Sequence, residues 1–207
     1  MGVDPSSSAR RRERSSQEAG SAASRARSSS DTSPKAVIVR DGVRGASMRQ
    51  VAEEADVSLG LLSYHFDDKE SLILAAFERA TTRLLAASDE AIEGIEDPDA
   101  RVRAFLRGSF DDEFLDGDYL RLRISLWAVA VTDEAVAAVD ARFYGEYSAA
   151  YRALVATARP QLDADELDRR VTAVIAMSNG VWLNWARFGR RADLDDGLAR
   201  CDAIALA

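Results

Sequence analysis

Cysteine is nearly absent from this chain. Cys201 stands alone, which excludes an intramolecular disulfide and any cysteine-rich metal site and fits a reducing cytosol. His65 is the single histidine, so no thiol–histidine zinc centre can be assembled, and no glycine-rich phosphate loop is present. The acidic pairs Asp111–Asp112 and Asp195–Asp196 sit where helix capping or solvation accounts for them. An enzyme is therefore not expected, nor a metal or a cofactor. No apolar run is long enough to cross a bilayer, and Met1 to Arg14 lacks the apolar stretch of a signal peptide. These absences predict a cytoplasmic protein with no membrane partner. Glycine and proline are sparse, and alternating Val/Ile/Thr segments are almost missing. What remains is rich in Ala, Leu, Arg and Glu, a composition that predicts an all-α fold.

The formal net charge of −8 speaks at first against nucleic acid, but the charge is uneven. Arg10, Arg11, Arg12, Arg14, Arg25 and Arg27 crowd the start, whereas acids gather in the middle and at the end. Residues 1–33 hold almost no large apolar side chain and read as a disordered basic tail, either a phosphate-touching arm or an idle extension. Residues 34–80 read as a small head and 81–207 as a larger acidic body. The head opens at Ser33–Pro34 with a short helix carrying Ala36, Val37 and Val39 and ending at Gly42. Ser47-Met48-Arg49-Gln50 has the form of a capping box, its glutamine reaching back to the cap. Met48, Val51, Ala52 and Ala55 then make one apolar stripe. Asp56–Val57 forms a tight turn, Ser58 caps a second short helix through Phe66, and Asp67 with Glu70 opens a long helix over 68–94. Further helices are predicted from Asp97–Pro98, over 119–131, 133–158 and 165–188, and through Leu194, Leu198, Cys201 and Ile204. The segment YLRLRISLWAVAV (119–131) is apolar nearly all round beyond Arg123, which predicts a deeply buried helix.

Two short capped helices joined by a tight turn are the parts of a DNA-reading helix-turn-helix, the first bracing the backbone and the second lying in the major groove. The stretch GASMRQVAEEADVSLGLLSYHFDDKESLILAAF (45–77) resembles the tetracycline-repressor (TetR) family. Its markers are Ala52, Ala55, Val57–Ser58, Gly60, His65–Phe66, Lys69 and Leu72. The resemblance implies a three-helix DNA-binding head, a helical body that binds a small molecule and dimerises, and release of operator DNA when that molecule binds. It also implies phosphate contacts for His65 and Lys69. The chemistry of the remaining positions adds candidates. Ser58 lies at the start of the reading helix, where free N–H groups favour phosphate. Gly60 allows close approach, and Leu61, Ser63 and Tyr64 suit base or backbone contact. Arg44, Ser47 and Arg49 stand at the edge of the bracing helix. One departure from the family is that Ser28 to Pro34 is polar where the first helix is usually apolar, which predicts a shortened first helix.

Ser63-Tyr64-His65-Phe66 is similar to the betaine-pathway (BetI-like) branch. The body is similar more loosely, through Leu126–Ala128, Asp133–Ala135 and Asn179–Leu183. A choline-like effector is one possibility this raises. Phe110, Trp127, Phe143, Tyr147 and Trp182 suit the apolar wall of a pocket, with Asp112 and Asn179 to orient a ligand. Val171, Val174, Trp185, Leu194 and Leu198, on the last two long helices, suit a four-helix homodimer interface. The predicted partners are thus double-stranded operator DNA, an unidentified small-molecule effector and a second copy of the chain. The alternative is a ligand-binding helical dimer whose short first helix no longer supports DNA binding.

Overall fold

The computed structural model describes residues 35–207. The tail, the Ser33–Pro34 start and the polar stretch before it lie outside the described residues. No strand occurs among the described residues, and helices account for most of them. They run as α1 (35–45), α2 (Met48–Glu54), α3 (Leu59–His65), α4 (Lys69–Glu90), α5 (Pro98–Gly108), α6 (Asp112–Leu115), α7 (Gly117–Ala130), α8 (Glu134–Ala158), α9 (Ala164–Phe188) and α10 (Arg191–Leu206). The chain divides into two compact units, one through Ala76 and the other Phe77–Ala207.

In the first unit the helices are short because each is stopped by a local signal. Gly42 adopts φ +72°, a left-handed turn that a side chain would resist, although helical bonding continues to residue 45. Asp56 adopts φ +53° between α2 and α3, a conformation Asp tolerates better than most residues. α2 and α3 pack on each other, and the buried residues of the unit are Val37, Ile38, Val51, Ala52, Leu62 and Leu72 among others. Ile38 is more deeply buried than the expected Ala36 and Val39.

The Ser47–Gln50 cap forms, with a difference. The Gln50 N–H donates to Ser47 Oγ at 3.3 Å, but the Gln50 side-chain oxygen accepts from the Ser47 hydroxyl at 2.6 Å. The Gln50 amide nitrogen goes to Asp41 Oδ2 at 2.9 Å, so the bond reaches back to the hydroxyl and to α1 rather than to the cap's own N–H. The opening of α4 is corrected by one residue. Asp68, not Asp67, is the cap: its Oδ1 accepts from the Ser71 N–H at 2.8 Å and its own N–H donates to Ser71 Oγ at 3.3 Å. These bonds, the backbone one foremost, hold the Asp68 carboxyl below its ordinary value. α4 ends at Glu90, short of 94, where Gly94 turns with φ +71°.

The second unit is built around one large core from α4 to α10. Phe105, Phe114, Tyr151 and Leu106 are almost wholly enclosed there. Asp97, Asp133 and Asp163 cap α5, α8 and α9 by accepting from backbone N–H groups. Gly108 permits close approach of α5 to α4: a Cβ there would stand 2.8 Å from Ala87 O and from Ser88 Cα. The single-turn α6 was not expected from sequence; Asp111 caps it. α7 departs most from expectation. It is not deeply buried all round: Ile124 is 41% and Val131 84% exposed, while Arg123 is buried. The apolar run marks a helix with an apolar outer face, and of the two arginines that interrupt it Arg121 is exposed whereas Arg123 is buried.

Candidate DNA-reading face and effector cavity

α3 separates its side chains cleanly. Leu62 is buried and Leu61 and Phe66 are half-buried, whereas Gly60, Ser63, Tyr64 and His65 are exposed. Tyr64, 83% exposed, touches only the edge of His65 within the unit's aromatic set, their ring centres 5.3 Å apart. A rigid aromatic on a short helix next to a glycine leaves room for the floor of a groove to come close to backbone and ring together. Arg44 and Arg49 are exposed. Lys69 is half-buried, and its Nζ donates to Arg44 O at 2.9 Å, tying the start of α4 to the end of α1. An ammonium has three donors, so phosphate contact stays open to it.

Two predicted DNA residues are first of all caps. The Ser58 Oγ accepts from the Leu61 N–H at 3.1 Å, and the Ser47 hydroxyl is engaged both as donor and as acceptor with Gln50. Between residues 35 and 76 acids outnumber bases, seven to five, so any attraction to phosphate is local and not a property of the whole unit.

The second unit contains a cavity of about 70 Å³ enclosed by α4, α5, α7, α8 and α9. Five predicted ligand residues line it: Trp127, Phe143, Tyr147, Asn179 and Trp182. Two do not. Phe110 packs on Trp182 at 5.6 Å as core, and Asp112 is an exposed first residue of α6. The lining also holds Ser109, Arg123, Asp140, Tyr144 and Ser178, which were not predicted. The signal for Arg123 was the second of two arginines, Arg121 and Arg123, at the start of an apolar run. For Asp140 and Tyr144 it was helical adjacency to Phe143 and Tyr147. Burial pushes the Tyr147 phenol up to about 12, so it stays protonated and shares a hydrogen bond with Ser109 Oγ at 2.9 Å. Desolvation lowers the Arg123 guanidinium from its ordinary value, yet arginine keeps its proton in proteins. The guanidinium carbon lies 4.6 Å from the ring centre of Phe143 and 5.2 Å from that of Trp127. The cavity adjoins a broader, shallow depression of about 510 Å³ that shares Trp127, Asp140 and Tyr144 with it.

The residues predicted for the dimer are largely engaged within the single chain. Val171, Val174, Leu194 and Leu198 are 0–6% exposed in the single chain, because α9 and α10 use them to pack on their own unit. Trp185 is half-buried and donates from Nε1 to Leu115 O at 2.9 Å. The outward stripe of α9 is instead Thr172, Ala173, Ala176, Gly180 and Leu183. Among the described residues no group of three or more His, Cys, Asp or Glu is placed to hold a metal ion. No described helix is long and apolar enough to cross a membrane.

The family model of the BetI-type transcriptional repressor C-terminal domain matches residues 98–206, and that of the bacterial regulatory proteins of the tetR family matches 35–76. The chain belongs to the TetR family, with a BetI-type C-terminal domain. It is a DNA-binding transcriptional regulator. Curated relatives agree. The HTH-type transcriptional regulator BetI of Pseudomonas aeruginosa PAO1 is 29% identical over 163 residues, 76% of this chain and 79% of that one. The BetI of Yersinia pestis strain Pestoides F is 25% identical over 169 residues, 79% of this chain and 82% of that one. A solved structure of a transcriptional regulator from Pseudomonas aeruginosa PAO1 is similar at TM-score 0.76 and 27% identity, with 86% of each chain covered. A regulator from Saccharomonospora viridis, solved in complex with choline, shares the fold at TM-score 0.74 and 18% identity, covering 87% of this chain and 95% of that one. These matches point to a regulator family and not to an enzyme family.

Proposed function

We propose that this TetR-family regulator represses transcription from the cytoplasm by seating α3 in the major groove of operator DNA, and that a small molecule entering the cavity of the second unit releases it. The observation that carries the DNA reading is the outward face of α3. Tyr64, His65, Ser63 and Gly60 are exposed on a helix fixed from beneath by Leu62, with Arg44, Arg49 and Lys69 in the same small unit. Tyr64, Ser63 and Leu61 would read or brace against bases; His65, Lys69, Arg49 and Arg44 would hold phosphates. Ser58 and Ser47 would contribute through the helix starts they cap. Repression is supported by the BetI-type repressor domain matched in the second unit.

Paired half-sites call for a two-fold dimer, and the exposed Thr172, Ala173, Ala176, Gly180 and Leu183 face of α9 is the surface proposed for it. The reading of a dimer without DNA binding gains no support, since α1 is formed over 35–45 and its Val37 and Ile38 are buried. The test is fluorescence anisotropy with DNA from upstream of the protein's own reading frame, at low and moderate salt. Saturable binding that weakens steeply with salt is expected; no binding at the lowest salt overturns the DNA reading. Sedimentation of the free protein tests the dimer.

A further inference from the structure

Among the described residues Arg123 is the only charged side chain that is buried, at 9% exposure. Its Nη1 is fully enclosed and has no hydrogen-bond partner. A charged donor left this way is costly, and such groups are retained where a ligand completes them. Arg123 itself lines the cavity, so a small rotation of its guanidinium would bring this donor to a ligand that enters there. Phe143 and Trp127, the aromatic faces best suited to a quaternary ammonium, are already covered by this guanidinium at 4.6 Å and 5.2 Å. A ligand cation there would meet a like charge in a desolvated site.

We propose that the effector carries a carboxylate that pairs with Arg123. A planar carboxylate matches the guanidinium fork, taking the donor that the protein leaves open. The cavity's volume of about 70 Å³ limits the buried part to a few heavy atoms. Asp140 sits where the cavity meets the outer depression, which leaves the opposite charge at the mouth. A zwitterion with its carboxylate inward and its ammonium toward Asp140 fits both ends; a cation alone fits only the mouth. This inference rests on the reading of the cavity as the effector site.

The test compares choline with trimethylglycine, which carry the same ammonium without and with a carboxylate, and adds acetate and isobutyrate against chloride at matched ionic strength. Thermal stability and tryptophan fluorescence report binding, since Trp127 and Trp182 line the cavity. Trimethylglycine is expected to bind the wild type at least about tenfold more tightly than choline, and the simple carboxylates to raise Tm above chloride. Arg123→Met is expected to lose both effects, and Arg123→Lys to keep only part of them. Choline binding as tightly as trimethylglycine, carboxylates acting no differently from chloride, or Arg123→Met retaining the effects would each overturn the proposal. If Arg123→Met does not fold, the wild-type comparison decides alone. Operator anisotropy run alongside keeps the two readings apart. Carboxylate binding without operator release sinks the release mechanism and leaves the ligand class standing. Operator binding by a protein indifferent to carboxylates does the reverse.

Discussion

In the first unit the side chains proposed for function stand outside the core. Tyr64 is 83% exposed, and Leu62, two residues before it, is 2% exposed. The second unit inverts that relation. Arg123 is 9% exposed while Ile124, its neighbour on α7, is 41% exposed. A helix that works on DNA can keep its apolar face for folding and its polar face for recognition, so the two demands fall on different residues. A helix that works on an enclosed ligand must put polar groups where the core should be, so function there is taken out of stability. The two units should therefore respond differently to substitution.

The largest expected effect lies in the core that frames the cavity. Phe105 is fully enclosed and touches Tyr147 and Tyr151 at 5.0 Å and 5.9 Å between ring centres. Phe105→Ala is expected to cost about 3–5 kcal/mol in urea-unfolding free energy. Arg123→Met, in the same unit, should move the other way. Replacing a buried, unpaired charge by an apolar side chain of similar length is expected to add about 1–4 kcal/mol to the ligand-free protein. Loss of stability in that variant would break the contrast drawn between the units.

The same contrast explains what was legible beforehand. Caps and turns are local, and Asp97–Pro98, Asp133, Ser47 and Ser58 each fix a helix start with atoms a few residues away. The starts of these helices and the outward set on α3 therefore followed from the sequence, whereas the end of α1, the end of α4 and the single-turn α6 did not. Whether Val174 faces its own core or a partner, and whether Arg123 points in or out, depends on how α7, α8 and α9 meet. No periodicity records that. Asp112 and Asp111 look alike in sequence, yet both lie at the exposed start of α6, away from the cavity.

Gly108→Ala is expected to destabilise the second unit by about 1–3 kcal/mol, since the added methyl meets backbone atoms that cannot rotate away. On α3 the expectation is a loss of binding without a loss of stability. Tyr64→Ala should weaken operator binding by about 1–3 kcal/mol and relax sequence preference, if the ring reads bases. His65→Ala and Arg49→Ala should weaken binding to all sequences and lower the salt slope by about one each. Melting of all three should stay within about 0.5 kcal/mol of the wild type, as exposed positions allow. A large drop in Tm for Tyr64→Ala would mean that the face of α3 is structural after all.

The smallest expected effect is the acid limb, where the two units can be compared through one carboxylate each. The Ser71 backbone N–H, foremost, holds Asp68 below 3.8 in the first unit. In the second, the hydrogen bond from the Arg159 guanidinium, foremost, does the same to Asp99, with Nη1 and Nη2 donating to its two oxygens at 2.8 Å and 3.2 Å. A carboxyl whose folded pKa lies below its unfolded value stabilises the fold fully above the unfolded pKa. That contribution fades as pH falls through the folded one. Both groups should therefore contribute nothing to pH dependence near neutrality and lose their contribution on the acid side of 3.8. Both are largely solvent-screened, so each loss is small. Asp68→Asn keeps a capping side chain and should melt like the wild type at neutral pH while flattening the acid limb of the helical signal. Asp99→Asn loses the charge-assisted pair with Arg159 at every pH, so its deficit should be present at neutrality and vanish in acid. Melting both variants across the acid range tells a cap from an ion pair, because only the ion-pair variant should converge on the wild type as pH falls.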